Sequence, residues 1–384
     1  MQTNKFCLKI RKKKMLITCV VTILAVAMID FVNRKGPSWA NHLYRTSFKS
    51  AETNDTSKFE RLLRDGCYNL IETEGKYGSK PLSNSKTIWD FITCNRSFSQ
   101  FGYGEYGLLM HYSFLYAKRK NDIQLKNLIK LKFDIGFKNN GINIERLDQT
   151  AYGNVAIDLY YETNDIFYKQ FADKLYDRLD SIIGKDGIVL YRQGTTTQEV
   201  DAIGLACPFL LYYSKYFRND KAREIASRMI EEFIKWGTDD ITGIPCQSYN
   251  IKNHVKMNHS NWGRGISWYL LGIMDYEPKD TIYSTRIELL QHTLISDEDH
   301  LYNHYYSQGE IPDMSATIPV LYYLKEKDVL KLDKTELTKL LSPYCDEEGI
   351  VRFCSPSISF PHEKVSVTQK SLQSNGILLY LLTL

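Results

Sequence analysis

The chain has 384 residues, 43% of them apolar and 24% charged, with a formal net charge of +4. Those proportions suit one large globular domain, and so small a positive excess excludes a nucleic-acid binder that works by basic charge. Aromatic content is less ordinary: 27 Tyr, 17 Phe and 5 Trp serve a helical core first and sugar-stacking walls second.

In chain order, the basic cluster KIRKKK (9–14) comes first and the uncharged run MLITCVVTILAVAMI (15–29) follows. A basic stretch before an apolar one is a signal peptide or a signal anchor, and 1–32 is read as that segment. Ala25-Val26-Ala27 offers a cleavage site, whereas Met28, Ile29, Phe31 and Val32 prolong the apolar run and favour an uncleaved membrane anchor. Either outcome leaves the basic end in the cytoplasm and the rest outside it, whether periplasmic, extracellular or lumenal. Residues 33–57 are polar and read as a linker, and 58–384 as a single domain.

From there a pattern recurs about five times. An apolar stretch rich in Tyr and Leu ends in a polar turn, and an amphipathic stretch follows. The first members are YGLLMHYSFLYAK, YGNVAIDLYYE, CPFLLYYSKYF, GISWYLLGIMDY and ATIPVLYYL, apolar nearly all round as inner helices should be. The second members, such as KAREIASRMIEEFIKW (221–236), carry one apolar stripe and read as outer helices. The turns hold Asn121-Asp122, Asn164-Asp165, Asn219-Asp220, Lys279-Asp280 and Lys327-Asp328, each offering an aspartate as N-cap. Helical patterns near 58–72 and 367–383 complete a sixth pair. Six such hairpins predict an all-α (α/α)6 barrel, with an open solenoid as the alternative. The irregular spacing and the long loops 185–200 and 237–261 favour the closed ring, while GIVLY (187–191) and GIVRFC (349–354) are read as short strand arms.

In such a ring the useful positions are the N-terminal ends of inner helices, and Asp148 and Asp201 occupy two of them. Each is either a helix cap or one of two carboxylates facing a cleft, suited to acid–base work on a sugar. The readings differ physically: a cap needs the ionised carboxylate, and a general acid needs a raised pKa. Between two glycines and two tryptophans, HSNWGRGISW (259–268) fits a sugar-binding rim, in which Arg264 meets an acidic sugar or locks the loop against a carboxylate. CSPSISF (354–360) has hydroxyl and backbone donors suited to a carboxylate and is equally a plain loop. The cysteines form no C-x-x-C pair, and His300 and His304 are read as surface histidines, so no metal is expected.

These residues form an ordered set. Val200-Asp201, Pro208-Phe209, TGIPCQSYN (242–250), Trp262-Gly263-Arg264-Gly265 and Trp268 resemble the unsaturated glucuronyl and rhamnogalacturonyl hydrolases of glycoside hydrolase families 88 and 105. LDQTAYGNVAIDLYYETND resembles an earlier family helix and places Asp148, while DMSAT (313–317) resembles a later helix start; the likeness runs from about 100 to 383. It implies an (α/α)6 barrel without cofactor. Its reaction is hydration of the C4=C5 double bond that a lyase leaves on a terminal uronic acid. Asp201 would be the proton donor, with Asp148 holding the substrate and tuning Asp201. The expected partner is an acidic oligosaccharide or polysaccharide, with Trp262, Arg264, Trp268, Gln247 and His259 binding it. The chain departs from the family where histidine is usual: Gln247 falls there and cannot shuttle a proton, although His254 or His259 in the same loop would compensate. Two other readings stand beside the first: hydrolysis of a saturated glycan in polysaccharide processing or assembly, and a catalytically silent glycan-binding barrel.

Overall fold

In the computed structural model, residues 48–74, 104–138, 147–192, 194–257, 262–297, 299–306, 308–355, 365 and 369–384 are described. The segment 1–32 read as signal or anchor, most of the linker (33–47), and His259 lie outside the described residues. Among the described helices none is long and apolar enough to cross a membrane.

The two kinds of helix expected from the pattern are both present. The apolar-all-round segments are α2 (Gly104–Lys120), α4 (Ala151–Thr163), α6 (Val200–Phe217), α8 (Gly263–Gly272), α10 (Met314–Glu326) and α12 (Leu372–Leu381). In α10 every residue from Met314 to Leu324 is buried, so no face is left for water. The striped segments are α1 (Thr56–Glu74), α3 (Ile123–Phe133), α5 (Ile166–Ser181), α7 (Asp220–Gly237), α9 (Thr281–Ile295) and α11 (Lys334–Leu341). In α7 the buried residues are Ala222, Ile225, Ala226, Met229, Ile230, Phe233 and Ile234, a stripe at helical spacing.

The even-numbered helices pack in sequence, α2 on α4, α4 on α6, and so on to α12, which returns to α2. That closure selects the barrel over the open solenoid. α1 packs on both α2 and α12 and completes the sixth pair. Ahead of α1, Ser50 bridges Asp346 and the Thr53 amide donates to Ser342 Oγ at 3.1 Å.

Turn chemistry follows the expectation at three places and departs from it at two. Asp122, Asp165 and Asp280 accept from the amides of Leu125, Phe167 and Ile282 as N-caps. Before α7 the cap is Asn219, and Asp220 is already helical. Before α11 the cap is Asp333, in a capping box with Glu336, while Asp328 takes a left-handed turn conformation at φ 55°.

Neither expected arm is an extended strand: 188–190 is irregular, and 349–354 contributes only single bridge residues. Gly187 and Gly349 sit at φ 75° and 74°, and Val351 makes one isolated bridge to Cys345. Strands form inside the long loops. β1 (Thr197–Glu199), β2 (Ser248–Asn250) and β3 (Lys256–Met257) make an antiparallel sheet ordered β1-β2-β3, and β4 (Asn303–Tyr305) pairs with β5 (Gln308–Pro312). Deeper in the ring, His111 Nδ1 lies 2.7 Å from Asp158 Oδ2, and Tyr212 donates its hydroxyl to Asp158 Oδ1 at 2.7 Å. Tyr112 of α2 meets Tyr322 of α10 with ring centroids 5.3 Å apart, closing the axis there with packed aromatic rings.

Candidate active site

Because each inner helix is followed by an antiparallel outer one, the inner helices share a direction and their N-termini gather at one end. Ionisable side chains concentrate there. Asp201 is the second residue of α6, and the cap position belongs to Glu199, whose side chain makes no cap hydrogen bond. Burial pushes the Asp201 carboxyl up to about 6; the Glu199 charge adds to this and Asp148 slightly more, against the pull of Arg264 and of its own amide. Glu199 itself is raised by burial, with Arg192 at 3.4 Å as a partial counterweight.

Asp148 lies in a short 3-10 turn, Leu147–Thr150, ahead of α4, and the cap position of α4 is Thr150. Its Oδ1 accepts from the Tyr191 hydroxyl at 3.0 Å. Neither of the two aspartates singled out in the sequence therefore occupies a cap position.

Trp262 is the cap residue of α8, 3% exposed, bridged to Tyr305 at the end of β4. Its indole Nε1 is buried and has no hydrogen-bond partner among the described residues. Arg264 lies beneath it with the guanidinium 5.6 Å from the ring, and its Nη1 donates to the Ser355 carbonyl at 3.2 Å. Trp268, one turn further along α8, is buried, and its backbone and Cβ press against Gly204 of α6; a Cβ on Gly204 would meet the Trp268 carbonyl at 2.5 Å. Gln247 is half-buried, and its carbonyl accepts the Val200 amide at 2.9 Å, tying the β1–β2 sheet to the start of α6. His254 stacks on Trp236 of the outer helix α7 with centroids 3.8 Å apart.

Asp201, Asp148 and Arg264 thus share one electrostatic environment, with Trp262 against Arg264. Three further participants were not legible as such. Glu105, in the first turn of α2, has its carboxylate 3.9 Å from Arg264 Nη1. Glu199 stands directly before Val200-Asp201. Asp313, cap of α10 and fully buried, accepts from the Ser315 amide, the Ser315 hydroxyl and the Ser355 amide at 2.9, 2.6 and 3.1 Å. Burial would raise its carboxyl, but His304 lies beside it, Ser315 and Ser355 donate to it and Arg264 is near, so it falls below its usual range. His304 is therefore not the surface histidine expected: it is largely buried with Nδ1 3.5 Å from Asp313 Oδ2. An acid in the first turn of an inner helix is the sequence signal that would have found Glu105. Among the described residues no group of three His, Cys, Asp or Glu is arranged to hold a metal ion.

Comparison with known proteins follows the same lines. Residues 97–287 match Glycosyl Hydrolase Family 88. No curated protein matches the chain in sequence. Among solved structures, a possible GH105 family member from Salmonella enterica serovar Paratyphi A superposes with TM-score 0.69 at 14% identity, covering 85% of this chain and 93% of that one. The unsaturated glucuronyl hydrolase of Bacillus sp. GL1 superposes with TM-score 0.60 at 16% identity, over 84% and 94%. The GH76A alpha-1,6-mannanase of Salegentibacter sp. gives 0.58 at 13% identity, over 85% and 98%. At such identities the structural likenesses speak for the barrel alone, and the match over 97–287 carries the family. The chain belongs to the glycoside hydrolase family 88/105 group.

Proposed function

We propose that this protein releases a terminal unsaturated uronic acid from an oligosaccharide by hydrating its C4=C5 double bond. The observation that carries the reading is the Asp201 carboxyl, lifted to about 6 by burial and by Glu199 and so able to hold a proton near neutrality. Asp201 gives that proton to C4, leaving an oxocarbenium ion at C5. Water adds at C5 and returns a proton to the Asp201 carboxylate. The hemiketal opens to a ketone, C1 expels the aglycone as an alcohol, and one water is consumed overall. Asp148, oriented by Tyr191, holds the sugar hydroxyls, and its charge keeps Asp201 protonated. Trp262 walls the cleft, with its buried, unpartnered Nε1 as a donor for the sugar. Arg264, with the described end of CSPSISF at Ser355, receives the uronate carboxylate. On the character of segment 1–32 the domain works outside the cytoplasm.

The test uses residues from about 40 onward with lyase-generated unsaturated uronides, following loss of the double-bond ultraviolet absorbance. Turnover is expected with the intact chain and not with Asp201→Asn, and it should decline as pH rises past about 6, where Asp201 loses its proton. Absence of turnover on both glucuronyl and galacturonyl substrates would defeat the reading. Gln247, standing where the family usually has histidine, favours a second one: hydrolysis of a saturated glycan, which the same experiment reaches by substituting saturated oligosaccharides.

A further inference from the structure

Arg264 is surrounded by more negative charge than it can neutralise. Asp313 is one of its neighbours, but it is fully buried and already accepts from Ser315 and Ser355. No ligand can reach it. Glu105 differs, with 34% of its side-chain surface exposed. Its 3.9 Å separation from Arg264 is longer than the roughly 2.7–2.9 Å of a tight charge-assisted bond. On its other side lies the Leu372 amide, at the start of α12, which favours its charged form.

We infer that Glu105 sets the specificity of this mouth by competing with the carboxylate of an acidic sugar for Arg264. The inference rests on the reading of Arg264 as the uronate receptor. An arriving carboxylate displaces Glu105 from the guanidinium and leaves it beside the Leu372 amide. Two carboxylates beside one guanidinium repel each other unless one takes a proton, and Glu105 is suited to do so. Burial raises its carboxyl and the Asp148 charge adds to this, while Arg264 and the Leu372 amide pull it down. Among the described residues the ionisable groups acting on it are Arg264 of α8, Asp148 ahead of α4 and Cys354 of the chain leading to α12. Binding of an acidic sugar is therefore linked to proton uptake at Glu105 and weakens as pH rises. Glu105 is a specificity residue in this scheme and takes no part in the proton transfer to C4.

Calorimetric titration of an unsaturated uronide tests this in the Asp201→Asn chain, which removes both turnover and the titration of Asp201. Affinity should fall as pH rises through the raised titration range of Glu105. Adding Glu105→Gln should tighten binding at the higher pH, on the order of five-fold, and flatten the dependence. Glutamine keeps the size and an acceptor oxygen of the side chain, and matched melting curves would verify the fold. The uronide methyl ester, having no carboxylate, should respond to neither change. Equal or weaker binding by the double variant overturns the inference. If that variant does not fold, flat affinity in Asp201→Asn alone overturns it. Turnover by the intact chain with no Glu105 effect leaves the reaction standing and removes the inference. A Glu105 effect without turnover does the reverse, and no uronide binding by either chain removes both.

Discussion

α6 and α10 are both inner helices that open at an aspartate, and their two carboxyls are driven in opposite directions. Asp313 is the more buried of the two, yet it is held below its usual range, because His304 lies beside it, Ser315 and Ser355 donate to it and Arg264 is near. Asp201 sits two residues further into its helix, where its own amide is the hydrogen-bond donor acting on it, and burial with the Glu199 charge lifts it to about 6. Burial is the largest influence on both groups and raises both. The supply of donors decides the outcome: one aspartate is a structural anion and the other a proton reservoir.

The comparison breaks most sharply in stability. Asp313→Ala strands the donors of Ser315 and Ser355 and removes a buried charge, and should cost about 3–5 kcal/mol in denaturant unfolding. Asp201→Asn should do the opposite at neutral pH. Its carboxyl ordinarily titrates at 3.8 and is raised to about 6 in the fold, so its ionisation opposes folding as pH climbs through that window. Replacing it should raise stability at pH 7 by on the order of 1–3 kcal/mol while turnover is lost. Equal losses for both variants would mean that Asp201, too, is a structural anion.

The signs separate further with pH. The depressed Asp313 contributes stability that is complete above its ordinary 3.8 and is lost as pH falls through its lower folded value. Melting temperatures of the intact chain should therefore drop as pH falls from 3.8 through that lower value, and those of Asp313→Ala should drop less. The smallest effect is expected from Glu199→Gln. It removes the charge that follows burial in raising Asp201, so the alkaline limb of turnover should move to lower pH by a fraction of a unit. An unmoved limb would leave burial, with the smaller effect of Asp148, as the cause.

Much of the ring was legible in the chain. Segments apolar on every side cannot face water and must be inner helices, and single-striped segments such as α7 must lie outside them. The capping aspartates at 122, 165 and 280 act through local bonds to amides two or three residues on, and so were readable. The sheets were not. Thr197–Glu199 and Ser248–Asn250 are three residues each and pair across about fifty positions, too short for alternation to show and too distant for a turn to announce them. Within the candidate site, the positions of Asp148, Asp201, Trp262 and Arg264 were found through motif and spacing. Glu105, Glu199 and the bonded state of Asp313 were not, because their importance comes from neighbours supplied by other helices.

By itself the sequence determined which helices are inner, how many pairs there are, and which residue types stand at the inner helix starts. Those are properties of local periodicity and hydrophobicity, carried by each segment alone. The tertiary structure alone decided that α12 returns to α2, that Arg264 lies between Glu105 and Ser355, and that Asp201 rather than Asp313 is pushed toward neutrality. The physical reason is that a carboxyl's proton affinity is set by the donors and charges within a few ångströms of it. In this ring those come from helices far apart in the chain.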